Sequence, residues 1–220
     1  WKISVNIILF GPPGAGKGTQ GDFLSKDLDL VKVSTGDLLR KEISTNSELG
    51  KKIASIINKG FLAPDDIINS LIKNILSNSS LSNKLIFDGY PRTITQAKNL
   101  NILIKEYSQK ISCVLNLKVD EDIIFKRILG RQICSKCKLI FNEFLNTANK
   151  DNHLCDDKYL EKRSDDKKDI IIERFKTYKI ESMPVLDFYR NENLLHEIDG
   201  MADISDIYKE IRGIIDSLDT

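Results

Sequence analysis

The residues with the clearest potential for chemistry lie at 11–19, where Gly-Pro-Pro-Gly-Ala-Gly-Lys-Gly-Thr separates an apolar run from a predicted helix. A glycine-rich turn at such a place leaves backbone N–H groups unpaired, and with the helix dipole they form a concave seat for phosphate oxygens. Lys17 can reach the outer phosphates of a nucleotide held there. An ordinary strand-to-helix turn needs neither four glycines nor the lysine. The segment therefore predicts a phosphate-binding loop.

The loop departs from the commonest pattern at one position. A hydroxyl residue usually follows the lysine and binds Mg²⁺ directly, but here Gly18 follows Lys17 and the hydroxyl comes at Thr19. We therefore expect magnesium to be held mainly by phosphates, waters and carboxylates.

Further polar groups follow the next two predicted strands. Ser34-Thr-Gly-Asp-Leu-Leu-Arg40 comes after the second strand, and Asp88-Gly-Tyr-Pro-Arg92 after the third, with Gln96 four residues beyond. Because the carboxyl ends of parallel strands meet at one edge of a sheet, these groups should converge on the glycine loop.

Four arginines lie further along the chain. Arg127 and Arg131 are four residues apart, which predicts one face of a shared helix, and Arg163 and Arg174 follow. A single arginine is more often part of a surface ion pair than a catalytic group. Several converging on one loop would repel each other unless polyphosphates neutralised them, so the set as a whole indicates a nucleotide site.

The elements that must position these groups are short apolar runs alternating with helical patterns. This alternation predicts a parallel sheet covered by helices on both faces. The runs lie at 5–10, 31–33, 85–87, 113–117 and 194–198. Two segments interrupt the alternation, a first insertion at 34–64 and a second insertion at 131–167, and both should fold over the site. The remaining segments, 1–33, 65–130 and 168–220, form the predicted core.

The overall composition excludes some classes of protein. The net charge of the 220 residues is only +1, so there is no electrostatic reason to expect a nucleic-acid or membrane-surface partner. No apolar stretch approaches the ~20 residues that span a bilayer, and no signal peptide precedes the first strand. We therefore expect a cytoplasmic protein.

The four cysteines fall into two groups. Cys113 lies within a predicted buried strand and should be inert core. Cys134, Cys137 and Cys155 cluster in the second insertion, and in a cytosolic chain such clustering favours a metal over a disulfide.

Taken together, the motifs resemble those of adenylate kinases of the long-lid type, over nearly the whole chain. The shared motifs are the loop at 11–19, Ser-Thr-Gly-Asp at 34–37, Asp-Gly-Tyr-Pro-Arg at 88–92, Gly-Arg at 130–131 and Arg-x-Asp-Asp at 163–166. The resemblance implies an α/β fold with a five-stranded parallel P-loop sheet, helices on both faces, a helical AMP-binding insertion and a lid insertion. It also implies a monomer that transfers a phosphoryl group reversibly from ATP to AMP with Mg²⁺.

The resemblance also implies roles for individual residues. Donor binding would fall to Gly14, Ala15, Gly16, Lys17, Gly18, Thr19, Arg127 and Arg131, with Arg131 stacking on the donor base. AMP binding would fall to Thr35, Arg40, Ala63, Gly89, Arg92, Gln96, Arg163 and Arg174, with Gln96 reading the base. Catalysis would rest on Lys17, Asp88, Arg92, Arg127, Arg163 and Arg174. Asp88, with Asp37, would hold magnesium through waters, although a carboxylate at a strand end can also simply cap the next turn.

The cysteine cluster is similar to the zinc-bearing lid of some bacterial relatives. Structural zinc usually has four ligands, and relatives place the fourth three residues after the third cysteine, where this chain has Lys158. Asp157 is the leading candidate for the fourth ligand, with Asp156 and His153 as alternatives. A metal-free lid with free thiols is the other possibility.

Two rival hypotheses remain open at this point. The first keeps the enzyme class and changes the substrate, to a GTP:AMP kinase or a pyrimidine monophosphate kinase, although pyrimidine enzymes of the family have short lids. The second is a zinc-ribbon nucleic-acid binder with a regulatory P-loop, which predicts a basic face and salt-sensitive affinity.

Overall fold

A computed structural model describes residues 4–218 of the chain. Its strands are β1 (Ile7–Phe10), β2 (Val31–Ser34), β3 (Leu85–Asp88), β4 (Cys113–Lys118), β5 (Arg131–Cys134), β6 (Ile140–Asn142), β7 (Leu160–Glu161) and β8 (Leu195–Asp199). Its α-helices are α1 (Lys17–Leu28), α2 (Thr35–Ser44), α3 (Glu48–Ile57), α4 (Asp65–Leu76), α5 (Ile94–Glu106), α6 (Glu121–Leu129), α7 (Lys168–Thr177), α8 (Met183–Asn191) and α9 (Ile204–Ser217).

The central sheet confirms the predicted fold class. Within residues 4–218 it has five strands in the order β2-β3-β1-β4-β8, and every neighbouring pair is parallel. The carboxyl ends of β1, β2 and β3 therefore lie side by side. They deliver the glycine loop, Thr35 and Asp88 to one edge of the sheet.

Two hydrophobic layers cover the faces of this sheet. Ile8 and Phe10 of β1 pack into one layer, while Ile7 and Leu9 pack into the other, as expected because successive side chains of a strand point to opposite faces. Helix α4 contributes to the first layer and α9 to the second. The strand edge at the carboxyl ends is thus held rigidly from both sides.

A second, smaller sheet lies in the second insertion and was not expected from the sequence. In the described part of the chain it has three antiparallel strands in the order β6-β5-β7. These strands are only two to four residues long, too short for an alternating pattern to stand out.

This sheet also corrects the prediction that Arg127 and Arg131 share one helix face. Helix α6 ends at Leu129, Gly130 caps it, and Arg131 begins β5. A Cβ on Gly130 would lie 2.6 Å from Phe144 Cδ2, so glycine here lets the segment after β6 pack against the end of α6. The two arginines therefore stand on different elements.

The first insertion carries α2 and α3, as its helical pattern predicted. The boundaries that we assign to the core and the two insertions stay predictions. Among residues 4–218, no helix has both the length and the apolar character that crossing a membrane requires.

Candidate active site

The glycine loop follows β1 and owes its shape to glycines at positive φ. Gly11, Gly14 and Gly16 have φ values of 139°, 81° and 96°, a range that favours glycine. A Cβ on Gly14 would come within 2.7 Å of Ile128 Cγ1, and one on Gly11 within 2.7 Å of the Leu117 carbonyl oxygen. The sequence therefore needs glycine here both for backbone conformation and for close packing.

Lys17, at the start of α1, lies inside this loop. Its Nζ donates hydrogen bonds to the carbonyl oxygens of Gly11 at 2.7 Å and Pro12 at 2.9 Å. Burial is the main cause that lowers the pKa of Lys17 to about 8. Asp88 partly opposes this shift, and Arg92 adds to it. An ammonium held in this way gains strongly from a negatively charged ligand.

A cavity of about 460 Å³ opens in front of the loop. It brings together every residue predicted for the donor or for catalysis. These are Gly14, Ala15, Gly16, Lys17, Gly18, Thr19, Asp88, Arg92, Arg127, Arg131, Arg163 and Arg174. Arg131 and Arg163 belong to the second insertion, so this insertion lines part of the cavity together with Arg127 on α6 and Arg174 on α7.

A smaller pocket of about 60 Å³ lies beside the cavity. Its lining includes seven of the eight residues that were predicted for AMP. These are Thr35, Arg40, Ala63, Gly89, Arg92, Gln96 and Arg174. Arg163, which was also predicted for AMP, lines the large cavity instead.

The Gly89 carbonyl organises the wall between the two spaces. It accepts hydrogen bonds from Thr35 Oγ1 and from Arg92 Nε, both at 2.8 Å. Gly89 has a φ of 76°, and a Cβ there would lie 2.8 Å from Arg92 Nη2. Glycine at this position lets the guanidinium of Arg92 lie flat against the backbone.

Several arginines of the cleft are paired with carboxylates that sequence analysis did not assign to them. Arg131 makes a two-pronged contact with Asp166, with Nε–Oδ2 at 2.8 Å. Arg174 Nη1 donates to Asp165 Oδ2 at 2.9 Å. Both aspartates belong to the Arg-x-Asp-Asp motif at 163–166, which was recognised without a role for its acids. The motif was the only signal available, because pairing across such distances is not visible in the sequence.

Asp37 is also occupied by arginines. It contacts Arg40 Nη2 at 2.6 Å and lies 3.6 Å from Arg163 Nη2. Burial alone would raise the pKa of Asp37, but Arg40 outweighs it and, with Arg163, holds the pKa below its usual value. Its carboxylate therefore belongs to the arginine network, whereas it was predicted as a possible magnesium contact.

Burial disfavours the charged form of two of these arginines. It lowers the pKa of Arg92 to about 10, with Arg174 as the next contributor. It likewise lowers the pKa of Arg163 to about 10, with help from Arg131 and Arg40. Positive groups crowded in a dry cleft favour a polyanionic ligand, because added negative charge relieves both desolvation and mutual repulsion.

The cysteine cluster forms a separate candidate metal centre. Sγ atoms of Cys134, Cys137 and Cys155 and a ring nitrogen of His153 lie within 4.8 Å of one another. Both His153 ring nitrogens are buried and have no hydrogen-bond partner among the described residues. This donor set fits zinc, which takes thiolate and imidazole ligands in fours.

This arrangement corrects the choice of Asp157 as the leading fourth ligand. The Asp157 side chain is 87% exposed, and its Oδ1 is 3.9 Å from His153 Nδ1. Asp157 starts a short 3₁₀ turn that directs it to solvent, whereas His153 is buried against Phe141. His153, one of the alternatives, takes the place beside the cysteines.

The chain is similar to known proteins over most of its length. The family model described as adenylate kinase matches residues 9–194. The chain is 43% identical over 211 residues to a protein named adenylate kinase from Pelagibacter ubique, covering 96% of this chain and 99% of that protein. It is 39% identical over 213 residues to one of that name from Thermosipho melanesiensis, covering 96% and 99%. A third, from Mycoplasma mycoides, is 42% identical over 214 residues, covering 95% and 98%.

Proposed function

The chain belongs to the adenylate kinase family, whose phosphotransferases move a phosphoryl group reversibly between ATP and AMP, and we propose how its own residues divide that task. The large cavity receives the donor and the small pocket receives AMP. The finding that carries this assignment is their shared lining. Arg40, Gly89, Arg92 and Arg174 border both spaces, so the phosphate ends of two nucleotides would meet beside these residues.

On the donor side, the backbone of the glycine loop would hold the phosphates. Residues 14–19 line the cavity at the start of α1, where the helix dipole adds positive potential. Lys17 would exchange the Gly11 and Pro12 carbonyls for phosphate oxygens. Arg127 and Arg131 would approach the donor from the opposite wall.

On the acceptor side, side chains would make most of the contacts with AMP. Arg40 and Arg92 would bind the AMP phosphate, and Thr35, Ala63 and Gly89 would form the walls. Gln96 lies at the inner end, where it would contact the base. Because the acceptor oxygen is already anionic, the reaction needs no general base, and alignment with charge neutralisation is the main requirement.

The arginine pairs provide a way to accept and release that charge. Arg163 and Arg174 are held by Asp37, Asp165 and Asp166. We propose that phosphate oxygens compete with these carboxylates for the same N–H donors. The guanidinium groups would then neutralise the charge that spreads over the transferred group.

Water must be kept out, because it would compete with AMP for the phosphoryl group. Ile140 of β6 contributes to this barrier, since its Cδ1 lies 3.7 Å from the position that a Cβ on Gly18 would take. On the other side, Thr177 Oγ1 lies 3.4 Å from the Gly60 carbonyl oxygen. These contacts support the proposal that both insertions fold over the site.

Asp88 suits the magnesium ion that accompanies ATP. Its carboxylate lines the cavity at the end of β3 and has no side-chain hydrogen bond or salt bridge with any residue in 4–218. Magnesium would supply neutralisation of the donor phosphates. Asp88 would hold the waters of that ion.

We further propose that the cysteine cluster with His153 holds a structural zinc. Burial would raise the pKa of Cys134, but the Cys137 backbone N–H, 3.4 Å from its Sγ, is the main group that outweighs burial and lowers the pKa to about 6. A thiolate is the form that binds zinc. The ion would tie β5 to the segment at 153–155 and stiffen the second insertion, remote from the transferred phosphate.

The test of the proposed function is turnover with ATP, AMP and Mg²⁺, followed by the appearance of two ADP. GTP as donor and UMP or CMP as acceptor, in the same assay, test the substrate alternatives, and we expect ATP with AMP to be preferred. Binding of a dinucleoside pentaphosphate that occupies both spaces should far exceed binding of sulfate. Equal binding of the two would contradict a joined two-nucleotide site.

The remaining predictions concern partners. We propose a monomer with small-molecule substrates and no nucleic-acid partner. The net charge of +1 supports the last of these, because it gives no general attraction to a polyanion. Light scattering should give the mass of one chain, and filter binding should show no salt-sensitive affinity for DNA or RNA.

A further inference from the structure

Gln96 stands at the inner end of the small pocket with its side-chain amide held from two sides. Its Oε1 accepts a hydrogen bond from the backbone N–H of Arg92 at 2.8 Å. Its Nε2 donates to Asp65 Oδ1 at 2.7 Å. The residue is only 2% exposed, so few other partners compete for these atoms.

The two partners allow one orientation of this amide. A side-chain amide can usually be turned over, which exchanges its donor and acceptor. A backbone N–H can only donate, and a carboxylate can only accept. Turning the Gln96 amide over would therefore place N–H against N–H at Arg92 and oxygen against oxygen at Asp65.

The fixed orientation determines what Gln96 offers to a ligand. One N–H of Nε2 and one lone pair of Oε1 remain for the pocket, at defined positions. The pairing edge of adenine has an acceptor at N1 and a donor at N6, whereas a 6-oxopurine has a donor at N1 and an acceptor at O6. An amide that is free to turn over can pair with both bases. An amide with a fixed orientation can pair with only one of them.

We propose that Asp65 is a positioning residue that sets the base specificity of the acceptor pocket by locking the Gln96 amide in the orientation that matches adenine. Asp65 lies at the start of α4, outside the lining of the small pocket, and acts only through Gln96. The inference rests on the proposed role of Gln96 in AMP binding. It adds a residue whose loss should relax specificity more than it slows the reaction.

The neighbouring residue provides a matched control. Asp66 also lies in the first turn of α4, carries the same charge and makes the same interaction with the helix dipole. It is exposed and makes no side-chain contact with Gln96 in the described part of the chain. Asp65→Ala and Asp66→Ala therefore change helix charge and propensity alike and differ in the amide contact.

The experiment measures kcat/KM for AMP and for inosine monophosphate, a 6-oxopurine nucleotide, with saturating ATP. We expect Asp65→Ala to lower the ratio of the two values by about tenfold, chiefly through KM, while Asp66→Ala leaves it within about twofold. Asp65→Asn should retain most of the ratio, because its carbonyl oxygen can still accept from Nε2. Asp65→Ser, which suits a first helical turn but is too short for the contact, repeats the test if the alanine variant does not fold.

Three results would overturn the inference. In the first, Asp65→Ala and Asp65→Ser change kcat/KM by the same factor for both substrates. In the second, Asp66→Ala lowers the specificity ratio as much as they do. In the third, Asp65→Asn lowers that ratio as much as Asp65→Ala. Gln96→Ala separates this failure from that of the proposed function. If Gln96→Ala impairs the use of AMP while Asp65→Ala preserves the ratio of the two kcat/KM values, only the inference fails. If Gln96→Ala changes kcat/KM for neither nucleotide, the assignment of Gln96 to the base site fails as well.

Discussion

The phosphate cleft and the cysteine cluster both concentrate polar groups, but they differ in how those groups are paired. In the cleft, Arg131 and Arg174 have carboxylate partners from the chain, and Arg92 Nε donates to the Gly89 carbonyl. Unpaired atoms there are single ones such as Arg163 Nε and Asp165 Oδ1. In the cluster, neither ring nitrogen of His153 has a partner within residues 4–218. Unpaired buried polar groups are costly.

The difference indicates how each region uses its ligand. Groups with internal partners can release a ligand and remain satisfied, which suits substrates that bind and leave at every turnover. A buried histidine without a partner is satisfied only by a ligand that stays. We therefore expect changes in the cleft to affect catalysis and changes in the cluster to affect stability.

The largest effect should come from Arg92→Ala. Losing charge-assisted hydrogen bonds to phosphate should cost about 4 kcal/mol of transition-state stabilisation, roughly a thousandfold in kcat/KM. Arg190→Ala removes an arginine whose side chain is 52% exposed on α8 and should leave kinetics unchanged. Steady-state assays in both directions measure this, and near-normal turnover of Arg92→Ala would remove that residue from the shared phosphate site.

The next effect tests the cluster. His153→Ala should lose bound zinc and roughly 3 kcal/mol of stability, with turnover at low temperature nearly intact. Asp157→Ala is the control and should keep the metal. Elemental analysis and thermal unfolding measure both properties. Full zinc in His153→Ala, or its loss in Asp157→Ala, would return Asp157 to the fourth position.

A smaller effect should distinguish two glycines. Gly14→Ala meets both a φ of 81° and the Ile128 side chain, so we expect a loss of about 2 kcal/mol in stability together with weaker ATP binding. Gly213→Ala, inside α9 with no atom within 4 Å of the added Cβ, should stabilise by about 0.5–1 kcal/mol. Urea unfolding measures the change in the free energy of unfolding for each variant. A change of the same sign in both would contradict this prediction.

The smallest effect is on pH dependence. Because the pKa of Lys17 is lowered to about 8, kcat/KM for ATP should fall roughly fivefold between pH 8 and pH 9 as the ammonium loses its proton. Stability should move the other way. Between about pH 8 and 10.5, the ordinary pKa of a lysine, the unfolded chain binds more protons at Lys17, so this group's contribution to the unfolding free energy rises with pH. A flat ATP profile to pH 9.5 would contradict the buried ammonium.

Much of the fold and of the site was predictable because its signals are local. The alternation of apolar runs and helices predicted the parallel sheet, and the spacing of glycines and Lys17 predicted the loop. The strands of the second insertion were missed because a strand of two to four residues has too few positions to show a period. The prediction that Arg127 and Arg131 share one helix was wrong, because the helix ends before Gly130, which lies between these two arginines.

The sequence by itself determined the loop, the core strands and most of the charged and polar residues that line the two spaces, since each depends on residues adjacent along the chain. Only the tertiary structure decided the partners. Asp65 reaches Gln96 and Asp166 reaches Arg131 across 31 and 35 positions, and His153 rather than Asp157 joins the cysteines. Such choices depend on where folded elements place side chains in space, which composition and spacing do not encode.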